Sequence, residues 1–394
     1  MKVALAQLNP VVGDITGNSE RILSLARECA GSGAELVVFP ELSLTGYPPR
    51  DLLDRPAFVQ GSAVALDRIA SHIPPQTGVV VGAPLLLDGV LCNAAVVCRG
   101  GRVVHIARKR LLPYYDVFDE TRYFAPGRSS GLWENSGEHL GFMVCEDAWR
   151  MPGLPERQYV VDPVADLAHE GATLLVNLSA SPFQQGKRAV RERIAHWHAR
   201  RHGVPFILVN QAGGNDELIF DGSSLVAWPD GKTVACRRFD EDCIIVDTDT
   251  REVVRLRGDE PDDGAARDEI AEVHDALVLG VRDYAAKCGF RQAVLGLSGG
   301  IDSALTAVIA VRALGPENVI GITMPSVYSS QGSVDDSYAL AANLGMRIET
   351  IPIAGLTDAF GAALGPLFSG TPAGLAEENV QARCRGVLLM AISN

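Results

Sequence analysis

No apolar run in the 394 residues approaches the ~18 that a membrane-spanning helix requires, so no membrane partner is expected. Basic residues are in deficit, 35 against 48 acidic. The formal charge of −13 argues against nucleic acid as the main partner. The eight cysteines show neither a C-x-x-C pair nor the dense spacing of a disulfide framework. The opening stretch, Met1–Asn9, has no signal-peptide architecture. Reduced thiols in the cytoplasm are therefore the expectation, and each cysteine has to be asked whether it is core or catalytic. Internal repeats and low-complexity segments are absent. The glycine-rich loop near residue 300 does not end in Gly-Lys-Ser/Thr, which excludes the common phosphate loop of kinases and GTPases.

What is present is a large apolar fraction, 47%, on a length that suggests two or three domains of ~150 residues. Val3–Leu8, Leu36–Phe39, Gly78–Leu87, Val90–Val97, Arg102–Ala107, Leu140–Cys145, Leu174–Leu178 and Phe206–Asn210 read as strands. Ser19–Gly31, Ala57–Ile73, Val161–Glu170 and Arg188–Arg201 read as helices. This alternation predicts an α/β domain over residues 1–246 with sheets covered by helices. Residues 247–268 carry many charges with Gly258, Pro261 and Gly264, and read as a solvated linker. Residues 269–394 begin with a helix, Glu269–Lys287, and continue as β–α–β–α–β. That order implies a parallel sheet with a nucleotide site at the strand C-termini. The tail, Ala376–Ser393, reads as a helix whose apolar stretch Val387–Ile392 is left uncovered, so this second sheet is expected to be unfinished.

The glycine loop joins a strand-like run, Ala293–Leu297, to a helix-like run, Ala304–Leu314. Glycines let a backbone approach an anion closely, and free N–H groups at a helix start face it. Ser298 and Ser303 add hydroxyls, while Asp302 would repel a phosphate unless a divalent cation lay between them. The plainer alternative is a glycine-rich strand-to-helix turn. Gly296-Leu-Ser-Gly-Gly-Ile-Asp-Ser303 resembles the SGGxDS signature of the ATP pyrophosphatases, which adenylate a substrate and release pyrophosphate. The resemblance implies ATP contacts by Gly296, Leu297, Ser298, Gly299, Gly300, Ile301, Asp302 and Ser303, and Mg2+ at Asp302. No redox cofactor is expected.

Three polar residues of the first domain stand at or just past buried strands: Glu41, Lys109 and Cys145. Together they could attack an amide. A thiolate is the nucleophile, a carboxylate moves the proton to the leaving ammonia, and an ammonium stabilises the oxyanion. Singly, each has a plainer reading: a core cysteine, a surface carboxylate after Pro40, and one of the solvated trio Arg108-Lys-Arg110. The flanks decide. Phe39-Pro-Glu-Leu-Ser-Leu-Thr-Gly-Tyr47, Arg108-Lys-Arg-Leu-Leu-Pro-Tyr114 and Met143-Val-Cys-Glu-Asp-Ala-Trp149 resemble the three signatures of the nitrilase (carbon–nitrogen hydrolase) superfamily. This implies an α-β-β-α sandwich and a Glu41–Lys109–Cys145 triad. Phe118–Phe124 matches the segment with a second glutamate, here Glu120, which could otherwise be an exposed turn acid. Asn177–Phe183 and Lys187 resemble the part that binds glutamine, with Ser181, Lys187 and Tyr115 as its contacts. A surface lysine is the alternative for Lys187. His198 and His202, four apart, could hold a metal on a helix face. No third ligand is evident, and a solvated basic face is the expectation.

An amidase followed by an adenylating domain resembles the glutamine-dependent NAD synthetases. In them ammonia from glutamine displaces AMP from adenylated deamido-NAD. Glu378-Asn-Val-Gln-Ala-Arg-Cys-Arg385 looks like that family's ENxQAR helix, which implies deamido-NAD contacts by Asn379 and Arg383, with Met324 near adenine. The implied partners are glutamine, ATP and deamido-NAD, in a homo-oligomer. Asparagine synthetases fit less well, since they use a cysteine at position two, here Lys2. The alternatives are an amidase fused to an amidotransferase for another carboxylate, a stand-alone amidase, and a non-catalytic sensor of glutamine or ATP. The family's further TGNKSE-type motif does not occur before Asn394, so the synthetase half is expected to be incomplete and to make NAD poorly.

Overall fold

The computed structural model describes residues 1–135, 137–154, 159–257, 268–370 and 374–394. It divides into two compact units, Met1–Ala276 and Leu277–Asn394. The first contains β1 (Lys2–Gln7), α1 (Ile15–Gly31), β2 (Leu36–Val38), α2 (Pro56–His72), β3 (Gly78–Leu87), β4 (Val90–Arg99) and β5 (Arg102–Arg108). There follow α3 (Glu120–Tyr123), β6 (Leu132–Asn135), β7 (Glu138–Val144), α4 (Pro163–His169), β8 (Leu174–Ser179), α5 (Lys187–His202) and β9 (Phe206–Asn210). β10 (Ala212–Asn215), β11 (Leu218–Asp221), β12 (Leu225–Ala227), β13 (Thr233–Ala235), β14 (Asp242–Asp247) and β15 (Val253–Arg257) complete it. α6 (Glu269–Cys288) spans the division between the units.

One sheet of the first unit has the order β15-β14-β1-β2-β3-β4-β5, and another the order β13-β12-β9-β8-β7-β6. The central strands β1, β2, β8 and β9 are buried on both faces because both faces are covered. In β1, Val3 and Leu5 pack between the sheets with Leu140, Phe142, Leu174 and Ile207. The alternate residues Ala4 and Ala6 pack beneath α1 and α2, against Ile22, Ala26, Leu66 and Ile69. On the far side, Leu175, Phe206 and Leu208 meet Val164 and Leu167 of α4 and Ile194 and Ala199 of α5. The layers are thus α-β-β-α, as the nitrilase resemblance implied, and each Val, Leu, Ile or Phe side chain so buried contributes about 1.5–3 kcal/mol. Two of the helices, α1 and α4, start on side-chain caps. Asp14 accepts the Gly17 N–H at 2.9 Å ahead of α1, and Asp162 accepts the Ala165 N–H at 3.1 Å ahead of α4.

The second unit continues with β16 (Ala293–Leu297), α7 (Ile301–Leu314), β17 (Val319–Thr323), α8 (Gln331–Leu344), β18 (Arg347–Thr350), α9 (Ala354–Phe368) and α10 (Leu375–Ser393). Its strands lie in the order β16-β17-β18, all parallel. Ala307 and Ala310 of α7 and Ala341 of α8 pack with Leu297 and Val319. Ile322 packs with Met324, Ile353 and, from α10, Leu388 and Leu389.

Two expectations are corrected, and one helix is added. Residues 247–268 are not all linker, because β15 pairs antiparallel with β14 and extends the seven-stranded sheet; residues 258–267 lie outside the described residues. The apolar stretch Val387–Ile392 is not wholly uncovered: Leu388 and Leu389 close on the sheet while Val387 and Met390 are 68% and 63% exposed. α9 escaped the sequence reading because Gly355, Gly361, Gly365 and Pro366 inside it are poor helix formers, although Leu356, Phe360, Leu364 and Leu367 recur at helical spacing.

Candidate active site

Glu41, Lys109 and Cys145 follow the ends of β2, β5 and β7. β2 and β5 belong to one sheet and β7 to the other, so the site forms where the two sheets' strand ends meet. Gly82 of β3 fixes the first of them. A Cβ there would lie 2.3 Å from the Leu42 nitrogen and 2.4 Å from the Pro40 carbonyl oxygen. Only glycine lets the turn that carries Glu41 lie against β3. Cys145 sits at φ +43°, a conformation costly for a residue with a Cβ and found at sites that must re-aim a side chain.

The Lys109 ammonium is fully buried and donates to Glu41 Oε1 and Glu120 Oε1, both at 2.7 Å. Asn93 Nδ2 reaches Glu41 Oε1 at 2.7 Å and Glu120 Oε2 at 3.4 Å. Tyr47 donates to Glu120 Oε1 at 2.9 Å, and the Ala180 N–H to Glu41 Oε2 at 3.0 Å. Burial opposes the charge on Lys109, but Glu120 and Glu41 outweigh it and hold its pKa well above the ordinary lysine value. Burial pushes Glu120 up to about 7, with Lys109 opposing and Glu41 adding to the rise. The Cys145 thiol is also pushed far up, by burial first and then by Glu41, while Lys109 and the Ser179 hydroxyl, 3.5 Å from its Sγ, pull the other way. Cys145 therefore rests as a thiol, and a thiolate forms only as a base takes its proton.

A cavity of about 460 Å³ opens over Cys145, with Tyr115, Phe118, Glu146, Trp149, Ser181 and Lys187 in its wall. Lys187 Nζ stands 5.6 Å from the Trp149 ring centre and 5.8 Å from that of Phe118. Burial, then the nearby Arg191, lower its pKa. Glu146 accepts from Tyr115 at 2.8 Å and from Tyr159 at 3.1 Å. The Ser181 Oγ is buried without a protein partner among the described residues. The cavity thus brings a thiol, a carboxylate and an ammonium together.

In the second unit the loop after β16 turns at Gly299, φ +78°, where a Cβ would meet the Ser333 carbonyl oxygen at 2.3 Å. Ser298 Oγ accepts the Gly300 N–H at 3.2 Å, and Ser303 Oγ donates to the Gly300 oxygen at 2.9 Å. A cavity of about 470 Å³ is walled by Gly296, Leu297, Ser298, Met324, Ser333 and Arg385, among others. Arg385 Nε holds the Met324 carbonyl oxygen at 3.3 Å.

Residues 2–257 match the carbon–nitrogen hydrolase family, and residues 273–394 match the NAD synthase family. A glutamine-dependent NAD(+) synthetase of Synechocystis sp. is 46% identical over all of this chain and 72% of its own length. One from Thermotoga maritima is 37% identical over all of this chain and 72% of its own. The solved structure of glutamine-dependent NAD+ synthetase from Acinetobacter baumannii in complex with ADP superposes with a TM-score of 0.91 at 36% identity, covering 100% of this chain and 72% of that one.

The chain belongs to the glutamine-dependent NAD(+) synthetases.

Within this synthetase the structure brings Glu41, Lys109, Glu120 and Cys145 together and sets Tyr115, Ser181 and Lys187 around the cavity beside them. In the second unit Gly296, Leu297, Ser298 and Met324 wall the other cavity, while Gly299, Gly300, Ile301, Asp302 and Ser303 lie outside its wall. Asn379 and Arg383 are exposed on α10 and line neither cavity. Sequence reasoning missed Tyr47, Asn93, Glu146 and Arg385. Asn93 left a signal, as an amide between the apolar residues Leu91 and Val97 of β4. The solvated face expected for His198 and His202 is corrected. His198 is buried, its Nε2 lies 2.8 Å from the Ala148 oxygen, and its ring stacks 5.5 Å from Phe206 and 6.0 Å from His202. Burial lowers its pKa to about 4. No cluster of metal-binding side chains occurs among the described residues.

Proposed function

We propose that the first unit is the glutaminase of this synthetase, with Cys145 as nucleophile, and that the second uses ATP to adenylate deamido-NAD, which ammonia converts to NAD with release of AMP and pyrophosphate. The buried Lys109 between Glu41 and Glu120, beside a thiol at the floor of a charged cavity, carries the reading. Glu41 takes the thiol proton as Cys145 Sγ bonds to the amide carbon. Lys109 stabilises the oxyanion. The C–N bond breaks, the proton leaves with ammonia, and water hydrolyses the thioester to release glutamate. Lys187 suits the α-carboxylate of glutamine and Glu146 its α-ammonium, with Ser181 and Tyr115 beside them. Glutamate release from glutamine by the purified chain is the test; no release would remove this reading.

The functional division proposed extends the hydrolase past the expected boundary at 246 to Arg257, because β15 pairs with β14 of the hydrolase sheet, and leaves 269–394 as the synthetase part. Ser298, Ser303 and the N–H groups around Gly299 and Gly300 are the ATP-binding loop, with Ile301 opening the helix. Asn379 and Arg383 face deamido-NAD in this reading. Mg2+ fits at Asp302, a lone exposed carboxylate in the first turn of α7, because phosphate oxygens would complete the ligand set. Bound there, Mg2+ would neutralise phosphate charge. Asp302→Ala is expected to weaken ATP binding in the presence of magnesium, and Ser298→Ala to weaken it less. Calorimetric titration with and without magnesium checks this, and equal affinities under both conditions would reject the metal role. We also propose a homo-oligomer in the cytoplasm; all eight cysteines are free thiols, and no described helix is long and apolar enough to cross a membrane.

The pKa of Glu120, about 7 against an ordinary 4.5, fixes a sign. The native state holds this proton more tightly than the unfolded chain does. The associated stability is fully present below pH 4.5 and is lost as pH rises through 7. The parent is therefore expected to lose unfolding free energy over this window, and Glu120→Gln to lose less. Urea titrations across the window measure it, and parallel profiles for the two proteins would contradict the shift.

A further inference from the structure

Lys109 and Cys145 stand on different sheets, and no backbone ladder joins β5 to β7. The packing between the sheets there is apolar, with Ala107 and Phe142 in the shared core. Apolar contacts are non-directional, so they do not by themselves hold a thiol and an ammonium in the geometry that an amide attack needs. Asp147 spans the gap. It lies two residues after Cys145 in the short 3-10 turn Cys145–Ala148 and is 1% exposed. Its Oδ1 accepts the N–H of Arg110 at 2.9 Å and of Leu111 at 2.8 Å, the two residues after Lys109. Its Oδ2 accepts the N–H of Val144, the residue before Cys145, at 3.0 Å. One carboxylate thus ties the backbone on both sides of the site, and it is absent from the cavity wall.

We propose that Asp147 is a positioning residue of the glutaminase, a strap that sets Cys145 in register with Lys109 and Glu41. The proposal rests on the reading of Cys145 as nucleophile. Burial pushes the pKa of Asp147 up to about 6 in spite of its backbone bonds, the mark of a carboxylate kept in the interior for the groups it holds. Two acceptor oxygens are needed. An asparagine has one acceptor oxygen and one NH2, so on one side N–H would face N–H and that tie would break.

The test compares glutamine hydrolysis by the parent, Asp147→Asn, Asp147→Glu and Cys145→Ala, scored per mole of folded protein. For Asp147→Asn kcat is expected to fall roughly 10²-fold, the loss that a misplacement of about 1 Å brings, with KM for glutamine near the parent's. The rate of Cys145 alkylation by iodoacetamide, itself an amide, is expected to fall with kcat. Asp147→Glu keeps the charge and both acceptors and is expected to recover part of each. A kcat within twofold of the parent overturns the strap. So does a loss carried by KM alone, or an Asp147→Glu no more active than Asp147→Asn. If Asp147→Asn does not melt cooperatively, Asp147→Glu carries the test: it supports the strap if its kcat loss comes with a matching loss of alkylation rate, and overturns it otherwise. Cys145→Ala separates the two readings. If it still hydrolyses glutamine, the nucleophile is wrong; if it is inactive and Asp147→Asn is not impaired, only the strap is.

Discussion

Cys145→Ala is expected to remove glutamine hydrolysis, with kcat lower by roughly 10⁵-fold or more, because in the proposed mechanism the thioester that water hydrolyses forms on its sulfur. The fold should hardly notice. The side chain is buried, 4% exposed, but alanine keeps the Cβ, tolerates φ +43° no worse than cysteine, and leaves a void no larger than one sulfur atom. The neighbours keep their partners: Lys109 stays between Glu41 and Glu120, and the Asn177 amide still reaches the Cys145 carbonyl oxygen at 3.1 Å. Losing a thiol that Glu41 opposes also removes one desolvated group from the floor of the site. Glutamine should still bind, since Glu146 and Lys187 remain, and calorimetry can follow it without turnover. The measurements are glutamate release and a urea melt. Glutamate production within tenfold of the parent would exclude Cys145 as the nucleophile.

The strand ends that carry Glu41, Lys109 and Cys145 were legible because each closes a mostly apolar run, buried in β2 and most of β7 and half-buried in β5. A polar or reactive residue at the close of such a run has few places to go except the end of a sheet. What joins them was not legible. The bonds from Lys109 to Glu41 and from Tyr47 to Glu120 link residues 68 and 73 apart in the chain, and no local period encodes them. Glu146 was passed over because it stands beside a cysteine that absorbed the motif's meaning, and Asp147 because it bonds only backbone. Arg385 lines the cavity of the second unit while Arg383 is exposed, although both fall in the stretch that resembles the family's helix. Two residues apart on a helix means nearly opposite faces, so one arginine of the stretch meets the cavity and the other solvent. β15 was missed for a physical reason too: an edge strand of five residues with two arginines reads as linker until its partner, β14, is known.

Lys109→Met is expected to cost the first unit about 3–5 kcal/mol at pH 8 and to abolish hydrolysis at any pH. The side chains of Lys109 and Glu41 are 0% exposed and that of Glu120 is 6% exposed, so water cannot replace the missing ammonium. Two carboxylates would then share one buried site with Asn93 as their common donor. They respond by holding a proton. In the variant a folded-state carboxyl pKa rises further above its unfolded value, so the remaining stability is greatest at low pH and is lost as pH rises through the folded pKa. The deficit against the parent should therefore shrink toward pH 5, and Lys109→Met combined with Glu120→Gln should recover part of it at pH 8 without recovering activity. All four tryptophans, Trp133, Trp149, Trp197 and Trp228, lie within Met1–Ala276, so their fluorescence during urea unfolding reports this unit alone. A deficit below about 1 kcal/mol at pH 8, or one that is the same at both pH values, would show that the two glutamates do not depend on Lys109 for their charge. Lys109 would then be left with a role only in the reaction, at the oxyanion.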